Sequence, residues 1–205
     1  MEEDDAQHAK ICREYKLGVT CLGWKNERRV ATFEKGDKIL EVRPDDAQQH
    51  RNKVLEVKTI VDKELGFASR NNEDPSIAVA NMTFYIYISK KRVVGLLMVK
   101  RIQQDYELLS SKEGDDNTNS NDNSSSISRS LKPSKALLGI HQIWVHNSHR
   151  SRGIASKLVT AARDHLIFGM MVPLELVAFS SPTDEGLRFA KSYIGSERPL
   201  IYDIH

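Results

Sequence analysis

The sequence predicts an α/β fold: a mixed, centrally twisted sheet flanked by helices, with a small β-rich N-terminal extension and a disordered loop insertion. Three observations lead there. The β-rich runs Met82–Ile88 (MTFYIYI) and Val93–Ile102 (VVGLLMVKRI) flank the short charged turn Ser89–Arg92, which has the length and punctuation of a hairpin. Further on, strand and helix patterns alternate, as in a locally parallel sheet with helical crossovers. Between the two regions, 110–134 (SSKEGDDNTNSNDNSSSISRSLKPS) is polar and nearly free of aliphatics. A segment of that composition cannot offset its own ordering entropy. A hairpin alone cannot build a core, so the strands on both sides of the insertion are expected to join one sheet.

The elements follow in order. Residues 1–17 begin acidic (MEEDD) and read as a tail, with the folded domain over 18–205. Gly18–Trp24, Val30–Phe33 and Lys38–Val42 are short β-rich runs separated by KNER and EKGD turns. Arg43-Pro44-Asp45-Asp46 supplies a start signal for a helix on which Val54, Val57, Ile60, Val61 and Leu65 recur at three-to-four spacing, with Gly66 to end it. After the hairpin and the insertion, Leu137–Val145 (LLGIHQIWV) is the most hydrophobic strand candidate. A helix over Ser151–Phe168 turns Ile154, Leu158, Ala161, Ala162, His165, Leu166 and Ile167 toward a core. A strand at Leu174–Phe179, a helix from Pro182-Thr-Asp-Glu to near Gly195 and a strand at Leu200–Ile204 complete the chain.

Composition narrows the function classes. With 205 residues, 40% of them hydrophobic, the chain can bury one substantial core. A formal charge of +2 gives no case for whole-surface or sequence-specific nucleic-acid binding. Cys12 and Cys21 are the only cysteines, which gives no disulfide framework and suits a reducing compartment. No apolar run approaches the ~20 residues of a membrane span. An acidic start differs from a secretory signal, so a soluble intracellular protein is expected.

The stretch Ile143–Ala155 (IWVHNSHRSRGIA) carries the chemistry. It takes the chain from a core strand into a helix through two arginines and a glycine. Helix starts present unpaired N–H groups and partial positive charge, so they suit anions. Gly153 lets backbone approach a ligand, Ala155 keeps the next turn small, and Arg150 and Arg152 add donor forks shaped for phosphate. A pyrophosphate accounts for all of these features. The competing reading is a surface turn with solvated arginines, since six-residue patterns such as RxxGxA are common.

Taken with the flanking strands, the stretch resembles the acyl-CoA motif of the GNAT acetyltransferases. More narrowly, GWKNERRVATF (Gly23–Phe33), VKTIVDKELGF (Val57–Phe67), KRVVGLL (Lys91–Leu97), GIHQIWV (Gly139–Val145), RSRGIASKLV (Arg150–Val159), ELVAFSSPTDEG (Glu175–Gly186) and PLIYDI resemble the family that establishes sister-chromatid cohesion. That resemblance implies an acetyl-CoA-dependent lysine acetyltransferase acting on the ATPase head of cohesin in the nucleus. It further implies contact with the replication machinery through regions outside this chain. In that frame Ile143, Trp144 and Val145 line the acyl arm, Trp144 mainly by packing. Arg150, Ser151, Arg152, Gly153, Ile154, Ala155 and Ser156 hold the pyrophosphate.

The catalytic positions fit less directly. Relatives carry GISRIWV and AFSDPT, so their serine is His141 here and their aspartate is Ser181. His141 is one candidate base, since an imidazole titrates near neutral pH; the plain alternative is a packed strand histidine. Asp184 and Glu185, one turn past Ser181, are the favoured carboxylates, although acidic residues also suit a helix start for its dipole alone. Tyr193 is the candidate proton donor to the thiolate, with core packing as the alternative. The family also has a zinc finger before GW, with CxxC followed by HxxxH. Here only His8 and Cys12 stand at ligand spacing, and two ligands do not make a structural zinc site. Residues 1–17 therefore read as an acidic tail with the remnant of a truncated finger, and no metal is expected. Two other readings remain open: a catalytically weak GNAT-fold chromatin-binding module, and a GNAT enzyme for another protein amine.

Overall fold

The structure is a computed structural model and describes residues 18–66, 80–102 and 136–202. The 110–134 insertion, the 1–17 tail with His8 and Cys12, and the end of the last predicted strand lie outside the described residues. The strands are β1 (Val19–Thr20), β2 (Arg28–Thr32), β3 (Lys38–Val42), β4 (Thr83–Ser89), β5 (Arg92–Arg101), β6 (Leu138–Val145), β7 (Val177–Ser180) and β8 (Leu200–Tyr202). The helices are α1 (Gln48–Leu65), α2 (Ile154–His165) and α3 (Asp184–Ile194).

One sheet runs β2-β3-β4-β5-β6-β7-β8. Its pairs are antiparallel from β2 to β6 and parallel at β6–β7 and β7–β8, as the hairpin and crossover patterns predict. β6, beyond the insertion, pairs directly with β5 before it, so the two halves share one sheet. β4 and β5 are buried almost throughout, because helices cover both faces of the sheet. Val54, Val57 and Val61 of α1 pack against Leu40, Leu96, Met98 and Trp144 on one face. Ile154, Leu158, Val159 and Ala162 of α2 pack against Tyr87, Leu97, Leu138 and Ile140 on the other, joined by Ala190 of α3. Gly66 takes φ 74° and returns its N–H to Asp62 O, ending α1 where the sequence predicts.

Several boundaries differ from expectation; β2, for one, spans Arg28–Thr32 and not Val30–Phe33. β1 is two residues long, not the whole of Gly18–Trp24, and lies beside Val93 and Arg92. β6 reaches only to Gly95, so β1 fills the short stretch of β5 edge that is left. α2 begins at Ile154, not Ser151, because Ser151 (φ 58°) and Gly153 (φ 73°) take left-handed conformations that a right-handed helix excludes. It ends at His165, not Phe168: Gly169 (φ 75°) reverses the chain, Ile167 bridges Met170, and Phe168 points into solvent. Leu174–Leu176 forms a 3-10 turn closed by Leu176 N–H on Pro173 O, which delays β7 to Val177.

Candidate active site

The parallel pair creates the site. β7 pairs with β6 over Leu138–Ile140 only, while β6 continues to Val145. Beyond Ile140 the two strands part, and β6 presents its backbone edge to the gap. A register shift opposite Met98 and Val99 places a bulge at His141, just where the fork begins. Helices α2 and α3 follow β6 and β7, so both helix starts lie at the carboxyl ends of the parallel strands. In open α/β sheets, ligands favour that edge.

The α2 start has the features of an anion site. Lys157 N–H is the first to reach back four residues, to Gly153 O at 3.0 Å. The N–H groups of Ile154, Ala155 and Ser156 therefore precede the helical ladder. A Cβ built on Gly153 would meet nothing within 4 Å, so the space before the helix is open. Arg150, Ser151, Arg152 and Gly153 are exposed, whereas Ile154 is buried and has only backbone to offer. The two arginines differ. Arg150 Nε donates to Val145 O at 3.1 Å, its Nη2 to Glu64 Oε1 at 3.3 Å, and its Nη1 lies 3.8 Å from Glu185 Oε2. Among the described residues Arg152 makes no ion pair. A phosphate group fits this set: open backbone donors, a free guanidinium and no Cβ in the way.

The other predicted residues fall into three places. Ile143 and Val145 pack toward α2, while Trp144 is turned to the α1 face and donates its indole N–H to Glu64 at 2.9 Å. Trp144 is thus packing on the side away from α2. At the fork, His141 Nδ1 is buried and has no hydrogen-bond partner among the described residues. Burial, then Lys58 and Lys100, push its pKa down to about 4, only partly opposed by Asp62. The expected titration near neutral pH is corrected: the ring is already neutral well below that range. Beside the fork, Ser181 (φ 29°) leads into α3, whose start is capped by Thr183 Oγ1 accepting from Gly186 N–H at 3.2 Å. Asp184 and Glu185 open α3, both exposed. Tyr193, on the last turn of α3, shares a 2.9 Å hydrogen bond with Thr160 Oγ1, and Arg163 Nη1 donates to its oxygen at 3.3 Å.

Sequence reasoning missed the carboxylates of α1. Glu64 joins Trp144 to Arg150, and Asp62 accepts from Gln142 Nε2 at 2.9 Å and from Lys58 at 2.5 Å. Glu64 follows Val57 and Val61 at helical spacing. An acidic residue on an apolar stripe was the available signal.

Comparison with known proteins shows the family and the fold. The model of the ESCO1/2 acetyltransferase family matches residues 134–202, from just before β6 to β8. The chain is 34% identical over 205 residues to N-acetyltransferase ESCO2 of Danio rerio, covering 98% of this chain and 33% of that protein. Against N-acetyltransferase ESCO2 of Homo sapiens it is 34% identical over 203 residues, covering 99% of this chain and 33% of that protein. It thus spans about a third of these curated relatives. Among solved structures, the xEco2 acetyltransferase domain bound to a K105–CoA conjugate superposes with a TM-score of 0.73 at 32% identity, covering 88% of this chain and 99% of that one. The chain belongs to the ESCO1/2 acetyltransferase family.

Proposed function

We propose that this chain is an acetyl-CoA-dependent protein-lysine N-acetyltransferase whose substrate is a lysine on the ATPase head of cohesin. The observation that carries the reading is the forked β6–β7 pair leading into an open helix start with Gly153 and with Arg152, which makes no ion pair among the described residues. The xEco2 domain, alike over nearly its whole length, binds a conjugate of CoA, which supports the same cofactor here. Residues 18–205 form the catalytic domain in this reading. Its place of action in this reading is chromatin in the nucleus, with the replication machinery contacted through regions outside this chain.

Acetyl-CoA brings an activated acyl group: transfer forms an amide at the lysine Nζ, breaks the C–S bond, removes a proton from the amine and delivers one to sulfur. The backbone N–H groups of Ile154–Ser156 and the Arg152 guanidinium hold the pyrophosphate. The β6 edge past Ile140 has main-chain donors and acceptors for the pantetheine arm. Asp184 is the first candidate to receive the amine proton, through a water, because Glu185 is drawn to Arg150. His141 and Ser181 occupy the fork, where a neutral ring and a hydroxyl accept a neutral amine without charge repulsion. Tyr193 is the candidate donor to sulfur, its oxygen already fixed by Arg163.

The test is acetyl transfer to a purified cohesin head by this chain, with the Arg152→Glu and Asp184→Asn variants in parallel. We expect incorporation by the wild type. Arg152→Glu should bind acetyl-CoA at least tenfold more weakly in calorimetry with its melt unchanged, the loss of one charge-assisted contact. Asp184→Asn should bind normally and turn over about a hundredfold more slowly, the scale of one general base. Cofactor binding without transfer to any protein amine would instead favour a chromatin-binding module.

A further inference from the structure

Glu64 lies one residue before the end of α1, with its side chain only 11% exposed. A carboxylate so enclosed needs partners for its charge. Both oxygens have one: Oε2 accepts from Trp144 Nε1 at 2.9 Å and Oε1 from Arg150 Nη2 at 3.3 Å. One partner belongs to the end of β6 and the other to the turn that follows it. Arg150 is also tied to Val145 O, at the same strand end. The residue after Arg150 is Ser151, at φ 58°, a left-handed conformation that a residue with a Cβ keeps only when its surroundings hold it there. The Glu64–Arg150 pair sits immediately before that strained residue.

We infer that Glu64 is a positioning residue for the cofactor turn. Through Arg150 it fixes residues 150–153 in the shape that presents Arg152 and the first N–H groups of α2 to a pyrophosphate. This rests on the acetyl-CoA reading and divides the two arginines: Arg150 shapes the turn, Arg152 meets the ligand. Glu64 itself touches no cofactor. Without it, the turn spends part of its time in other conformations, and apparent affinity falls by the fraction lost. Saturating cofactor restores the bound shape, so KM for acetyl-CoA rises while kcat is kept.

The experiment is calorimetric titration of CoA into the whole chain as wild type, Glu64→Gln, Arg150→Met and the double variant, with thermal melts for each. We expect each single variant to bind CoA about tenfold more weakly, the scale of one hydrogen bond between charged groups. The double variant should be no weaker than the weaker single one, because both remove the same tie. Glu64→Asp should recover part of the loss, and Glu64→Gln combined with Arg152→Glu should multiply. If Glu64→Gln fails to melt cooperatively, Arg150→Met, which breaks the pair from its half-exposed side, carries the comparison. Wild-type affinity in Glu64→Gln, or single effects that multiply in the Glu64/Arg150 double variant, would overturn the positioning role. A wild-type chain that takes up no CoA would remove the cofactor reading and this role with it.

Discussion

His141 is held neutral by its position. Its ring sits at the bulge where β6 leaves β7, and burial with Lys58 and Lys100 nearby lowers its pKa from 6.5 to about 4. An unfolded chain takes up that proton near 6.5, the folded chain near 4. Between those values the unfolded state binds more protons, so lowering the pH through this window favours unfolding. We expect the melting temperature of His141→Asn to fall less steeply than that of the wild type between pH 6.5 and 4. The two profiles should run parallel above pH 7, where neither state is charged. Parallel profiles below 6.5 as well would mean that the ring is not desolvated in the fold. The same shift argues that acetyl transfer has no inflection near pH 6.5 belonging to His141. That refines what composition and motif could say: a histidine in a strand is legible in the sequence, but its burial depends on α1, which is distant in the chain.

Helix α2 reaches its place because β5 offers it a glycine. A Cβ on Gly95 would stand 2.9 Å from Ile154 Cγ2, 3.0 Å from Leu158 Cδ1 and 3.2 Å from Tyr87 Cβ. Ile154 is the first residue of α2, so the contact that seats the helix also sets the height of the anion site above the sheet. We expect Gly95→Ala to lose about 1–3 kcal/mol of stability, the usual cost of overpacking, read from the urea midpoint at unchanged slope. Acetyl-CoA binding should weaken as well. A fully stable variant with normal binding would show that α2 can retreat without consequence for the site. The spacing of α1, the apolar residues of α2 and the start signal of α3 made the helices legible, and the apolar runs did the same for β4 to β6. The true start of α2 was not, because helix propensity does not reveal the left-handed Ser151. Nor was the Glu64–Arg150 contact, which joins residues 86 positions apart.

The whole molecule is one sheet assembled across a sequence gap, and its register says how wide that gap must be in space. Arg101 pairs with Leu138, and Ile102 N–H donates to Leu137 O at 2.9 Å. The chain therefore leaves β5 and returns to β6 at adjacent positions, a separation that a short connection spans. Composition alone marked 110–134 as unable to contribute a core, and the β5–β6 pairing adds the geometric reason that it can be shortened. We expect a chain in which Ser110–Ser134 is replaced by a short Gly/Ser link to fold, to bind acetyl-CoA and to melt cooperatively at the wild-type temperature or slightly above. Each halving of loop length returns only about 0.6 kcal/mol of closure entropy, so any gain is small. Circular dichroism melts and calorimetry on the shortened chain check this. A broad melt, or lost cofactor binding with the sheet intact, would show that the segment packs on the domain and takes part in the site.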